Sequence, residues 1–356
     1  MKIKTVFIII FVLMFTACSK VEENEILSRQ ETYSGDETSS SGSNEITDNE
    51  TLSEATEQNS AVETDEVADT VDNISLGINL VSSKNMPIAS EALVYKGQDM
   101  QYGAVLHNGS NYDVNYTFMI LNNGSIQPFS LEGEDKEVNC ITFSMKRGEE
   151  KIIHYCFKPV AAPYENQAVL SFVGIAVKKN PSTSIDDIMM NAAITDYNIF
   201  LTAEKKQYEI KQNNTDHIVG EEIEQLQSDG DDTVISVALS DEKLSQTSIN
   251  KIETEVMDID RVKLYIAKKN NEKYRLFLLN EGELLKVFDK RLYGDIESNN
   301  NALYEINLDQ DGFHKDITNK SCVIIVDMKN IEQVISGETN IESSISQLSQ
   351  LYLLEN

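Results

Sequence analysis

The sequence predicts a mainly β protein: two tandem β-sandwich domains, each with a short helix, behind an unstructured acidic stretch. Three observations carry this. Short runs rich in Val, Ile, Phe and Tyr recur between Asn, Gly and Asp turn signals, which is strand-and-turn spacing. A block of the first half returns in the second. Residues 19–72, by contrast, hold almost nothing that could build a core.

The repeat sets the domain count. Segment 116–124 (YTFMILNNG) aligns without gaps onto 274–282 (YRLFLLNEG), with four of nine positions identical at an offset of 158. Upstream, 74–78 (ISLGI) matches 235–239 (ISVAL) at an offset of 161. Downstream, the apolar run 169–177 corresponds to 322–328, and each half closes on a β-rich segment, 197–201 and 351–354. Four elements in the same order indicate a duplication. The expected domains are 73–205 and 231–356, joined by a polar linker over 206–230.

Strands are expected at 92–95, 100–107, 112–121, 141–145 and 151–157 in the first half. Those of the second are 261–267, 273–280, 283–288 and 302–308. Residues 122–124 and 280–282 read as hairpin turns, where Asn and Gly tolerate a positive φ. About seven strands in roughly 130 residues suit a sandwich. Stretches 184–193 and 341–350 read as helices: Ser184 with Asp187, and Asn340 with Glu342, resemble helix starts. Ile341, Ile345 and Leu348 then fall near one face as core positions. Segment 145–153 (MKRGEEKII) resembles the strand–Gly–Glu–strand segment of bacterial Ig-like surface domains. The resemblance implies tandem Ig-like sandwiches and brings no activity with it.

The N-terminal end gives an address. Lys2 and Lys4 precede ten consecutive apolar residues, 6–15, too few for a membrane-spanning helix of about 20. The following Thr16, Ala17 and Cys18 complete an FTAC ending that resembles the lipobox of bacterial lipoproteins, with Phe15 in place of the usual Leu. The resemblance implies that residues 1–17 are a signal peptide and that Cys18 becomes the lipidated N-terminus. That places the chain on the extracytoplasmic face of the membrane of a Gram-positive-type bacterium. Two acyl chains hold durably where one is marginal.

Residues 18–72 read as a disordered tether. Sixteen acids against Lys20 and Arg29 give 19–72 a charge of −14, about half of the chain's −29. A flexible coil of this length spans roughly 40 Å. The remaining body is also acidic, which argues against nucleic-acid partners, since these require basic patches. The expected partners are the membrane, through the lipid, and an envelope protein or extracellular ligand.

Chemistry-bearing motifs are sparse. The four histidines are scattered, with no zinc-ligand spacing, nucleophile elbow, phosphate loop or dinucleotide fingerprint, and no cofactor is expected. Asn307, Asp309 and Asp311 ahead of Gly312 imitate the opening of a calcium loop, but Thr318 stands where a bidentate Glu is required. A plain Asp-Gly turn is the favoured reading. Cys140 and Cys156 are equidistant from Gly148. A simple hairpin there would place them opposite one another for a disulfide closing a loop worth about 3 kcal/mol; free thiols in different sheets are the alternative. The function these features indicate is a non-catalytic binding, adhesion or structural module. The alternatives are an accessory subunit of an envelope complex and, less favoured, a carboxylate-dependent hydrolase.

Overall fold

A computed structural model describes residues 75–88, 92–160, 167–180, 191–203, 216–226, 236–245, 247–249, 257–268, 272–298, 300–313, 319–340, 345–349 and 352–355. Cys18, the 18–72 stretch and most of the expected 184–193 helix lie outside them. The described chain is mainly β, in four sheets, with one short helix.

The first half contributes β1 (Leu76–Ser82), β2 (Ala92–Tyr95), β3 (Met100–Asn108), β4 (Val114–Asn122), β5 (Ser125–Ile126), β6 (Ser130–Leu131), β7 (Cys140–Met145), β8 (Glu150–Phe157), β9 (Gln167–Lys178) and β10 (Ala192–Ala203). One sheet runs β1-β3-β8-β6; the other runs β2-β10-β9-β4-β5, with β7 also beside β4. Alternation explains the outer sheet: β3 turns Ala104 and Leu106 inward, and β8 turns Ile153, Tyr155 and Phe157 inward. Across from them Tyr116, Phe118, Ile120, Leu170 and Phe172 close the core. Phe118, Phe129, Tyr155 and Phe172 pack at its centre, with neighbouring ring centroids 5.7–6.5 Å apart.

The second half repeats the plan with β11 (Glu221–Gln225), β12 (Ser236–Ser240), β13 (Met257–Asp258), β14 (Lys263–Lys268), β15 (Glu272–Asn280), β16 (Glu283–Leu284), β17 (Gly294–Ser298), β18 (Ala302–Asn307), β19 (Asn319–Asp327), β20 (Ile345–Leu348) and β21 (Tyr352–Glu355). Its sheets are β11-β18-β14-β12 and β13-β21-β19-β15-β16, with β17 on β15 and β20 on β19. The unusual parallel pairing of β2 with β10 returns as β13 with β21. Leu106 and Leu264, 158 residues apart, face Ile78 and Leu239, 161 apart. Both sequence offsets are therefore spatial correspondences.

Two elements depart from expectation. The stretch 341–350 is not a helix where it is described: β20 forms there and pairs with β19. The helix, α1 (Met328–Ser336), lies one segment earlier. Asp327 caps it by accepting from the Asn330 N–H at 2.9 Å, and Gly337 ends it at φ 78°. The expected linker contains a strand, since β11 pairs with β18 and completes the outer sheet of the second half.

The two cores are joined by a third. Met119, Leu121, Val173 and Ile175 on the outward face of the β4–β9 sheet pack against Phe277, Leu279, Ile324 and Val326 on the β15–β19 sheet. These are corresponding residues: Met119 and Leu121 become Phe277 and Leu279 at the 158 offset, and their cross-strand partners correspond likewise. The contact is reciprocal. The turn at Gly124 (φ 71°) reaches Met328 and Ile331, while the turn at Gly282 (φ 84°) reaches Thr117 and Thr142. Thr142 Oγ1 donates to the Gly282 carbonyl at 2.6 Å. Sheets buried on both faces read as near-continuous apolar runs, which is how 116–121 and 274–279 are composed apart from Thr117 and Arg275.

Candidate functional site

Three strand ends border an open cleft. Register places Ser240 beside Lys263 and Lys263 beside Asn307, so β12, β14 and β18 begin or end in one row. Above that row is an open cleft of about 400 Å³. Val262 and Leu308 form its apolar floor, and Asp241, Asp260, Arg261, Lys263, Asn307 and Gln310 supply its polar wall.

Local hydrogen bonds fix that wall. The Asp241 carboxylate accepts from the Asp258 N–H at 3.1 Å, and the Asp258 carboxylate accepts from the Asp260 N–H at 3.0 Å. Gln310 Nε2 donates to the Val262 carbonyl at 3.2 Å. Lys263 Nζ donates to Glu305 at 2.5 Å, and the Tyr265 hydroxyl donates to the other Glu305 oxygen at 3.0 Å. The Lys263 hydrogen bond holds the Glu305 carboxyl below its ordinary range, helped by Tyr265. Burial pushes the Tyr265 hydroxyl up, and Glu305 adds to that. Two carboxylates and two cations balance the lining, which suits polar or doubly charged ligands held by hydrogen bonds.

The calcium-like residues are not gathered. Asn307 lines the cleft, but the Asp309 carboxylate turns away to accept from the Lys290 N–H at 2.6 Å. Asp311 is exposed within a 3-10 turn, Gln310–Gly312, and that tight turn breaks the extended loop an ion would need around it. Thr318 lies outside the described residues. Among those residues no three His, Cys, Asp or Glu side chains are grouped as metal ligands.

Of the two readings of Cys140 and Cys156, the structure takes the free thiols. At Gly148 the chain crosses between sheets, so Cys140 on β7 pairs toward β4 while Cys156 on β8 pairs toward β3 and β6. Equal distance from the turn therefore does not make them neighbours, and both are free thiols, as is Cys322. Burial raises all three thiols above their ordinary range, Cys322 to about 12.

Two buried charged groups carried no motif. Arg275 and Asp295 are fully buried and meet through two bonds, Nε to Oδ1 at 2.7 Å and Nη2 to Oδ2 at 3.0 Å. The remaining geometry is also filled: Nη1 donates to Ser125 of the other half at 2.6 Å, and the guanidinium lies 4.2 Å over the Tyr293 ring. The His217 N–H donates to Asp295 at 2.8 Å. A charged residue inside an apolar strand was the available signal, since Arg275 interrupts 274–279. Lys268, fully buried at the end of β14, donates to the Glu272 carbonyl. Burial lowers its ammonium from 10.5 to about 8, against the opposing charges of Glu272 and Glu297. Between those pH values the unfolded lysine binds more protons than the folded one, so this group makes stability rise with pH across that window. Lys268→Met is expected to be more stable than the parent at pH 7 and to lose that rise, read as urea midpoints from pH 7 to 10.5.

No protein-family model matches the chain, and no curated protein matches its sequence. Solved structures are similar to it at low identity and with low TM-scores. They include the Escherichia coli chaperone DraB, at 10% identity over 80% of this chain and 98% of that one, TM-score 0.26. The CARDB domain of a Pyrococcus furiosus protein, solved with di-metal ions, is 13% identical over 37% of this chain and 97% of its own, TM-score 0.22. A PapD-like domain of a human protein is 9% identical over 37% and 87%, TM-score 0.20.

Proposed function

We propose that this chain is a lipid-anchored, extracytoplasmic binding module: two Ig-like sandwiches held off the membrane on an acidic tether, without catalytic chemistry of their own. The observation that carries the reading is the cleft above β12, β14 and β18. Asp241, Lys263 and Gln310 are each held by a hydrogen bond or ion pair, and the two carboxylates and two cations of its lining balance. Such a surface recognises rather than reacts. The lipobox-like ending at Cys18 and the −14 stretch behind it support display at the envelope.

Two measurements test it. Cys18→Ala is expected to abolish palmitate incorporation and move the protein from the membrane fraction to the medium; unchanged labelling overturns the anchor. Residues 73–356 as bait are expected to retain an envelope or extracellular partner. An Arg261→Ala, Lys263→Ala pair should weaken that retention if the cleft is the site.

A further inference from the structure

Among the described residues one strand flank in the first half is only partly covered. In β8 the residues alternate between two neighbours. The Asn108 N–H donates to the Glu149 carbonyl at 2.9 Å, so odd-numbered residues of β8 bond toward β3. Glu150, Ile152, His154 and Cys156 therefore direct their N–H and C=O groups to the other side. There β6 meets only the far end, pairing Ser130 with Cys156 and Leu131 with Tyr155, and the Glu132 N–H donates to the His154 carbonyl at 3.0 Å. The chain then turns away at Gly133. Among the described residues no strand lies beside β8 over 150–153.

In the second half a longer strand lies on the same side of the sheet. There β18 takes the place of β8, and β11, supplied from outside the repeated block, pairs antiparallel along its corresponding side. Ile223 of β11 packs with Tyr265, Ala267 and Leu303 on the outer face. Among the described residues the first half has only the two-residue β6 in that place. Instead Ile152 is left 43% exposed beside Val105, its cross-strand partner on the same outer face. An apolar side chain on an open edge is what soluble proteins ordinarily replace by a charge.

We propose that the β8 edge over Glu150–Ile153 is a docking site for an extended strand of a partner polypeptide, added antiparallel to the sheet. The occupant alternates apolar and cationic residues. Its apolar side chains cover Ile152 and Val105, as Ile223 covers the second half. Its cations meet the exposed acids of the 132–137 turn, where Glu132, Glu134, Asp135 and Glu137 outnumber Lys136. Main-chain bonds supply affinity in this mode and alternate side chains supply selection. The inference rests on the binding-module reading and names the chemistry of its partner.

The decisive variant is Ile152→Pro. It removes an N–H that faces the open side and leaves the β8–β3 ladder its bonds. With the full chain, a fluorescein-labelled octapeptide of alternating valine and lysine is expected to bind, measured by anisotropy. Replacing its lysines by glutamates, or Ile152 by proline, should each weaken binding at least tenfold. If Ile152→Pro fails to fold, Ile152→Glu makes the same test through the side chain. Equal affinity in parent and variant, or no binding by the lysine peptide, overturns the proposal. So does a dimer of the parent that Ile152→Pro abolishes, because the occupant is then a second copy. An envelope partner captured equally by parent and Ile152→Pro removes this edge while leaving the binding-module reading intact.

Discussion

Asp295→Ala is expected to destabilise the folded chain by about 3–5 kcal/mol, because it strands the Arg275 guanidinium in a site closed to solvent. Arg275 and Asp295 are both fully excluded from solvent, and their two bonds replace hydration on each side. The cost belongs to the unpaired charge more than to the pair. Arg275→Met combined with Asp295→Leu should therefore recover much of the loss, since apolar groups of similar volume need no partner. Urea unfolding of the parent, Arg275→Met, Asp295→Leu and the double variant measures this as a coupling energy. Strict additivity of the two single losses would show that the pair does not act as a unit.

Phe277→Ala is expected to cost about 3–5 kcal/mol, the range for emptying a buried aromatic site. The location of that loss matters as much as its size. Phe277 lies on the face between the two halves, against Met119, Leu121, Val173 and Ile175, and outside either sandwich core. The parent should unfold in one calorimetric transition because the halves share this third core. Phe277→Ala should separate it into two, whereas Leu106→Ala, inside the first core, should lower one transition without parting them. A single unshifted transition in Phe277→Ala would mean the face does not couple the halves.

Strands bounded by clear turn signals were legible from sequence almost to the residue, as 92–95, 140–145, 150–157 and 272–280 illustrate. The misreadings have physical causes. β11 reads as EEIEQ, with one apolar side chain, so it forms by pairing along β18 rather than from its own pattern. The 341–350 stretch has helical spacing, yet the edge of β19 offers backbone partners that a single segment cannot reveal. The true helix was readable: Asp327, then Met328, Ile331 and Val334 at threefold spacing, then Gly337. The cleft was not, because it forms where three strand ends come into register across about 70 residues. Nor was the β8 edge, which is defined by the strand that stops short beside it.

Thr117 and Arg275 occupy equivalent places in the two halves, and only one of them is charged. In an assembly of two identical chains, an arginine at that position would appear twice across the same apolar contact, each copy needing its own buried carboxylate. A single covalent chain is released from that obligation. Its two halves can share one contact yet be chemically unlike, Thr117 resting on Thr142 and the Gly282 turn while Arg275 holds Asp295 and reaches Ser125. The same release extends to the far ends, where one half closes its outer sheet with β11 and the other keeps Ile152 in the open. Joining the halves in one chain lets one repeated surface take two different assignments.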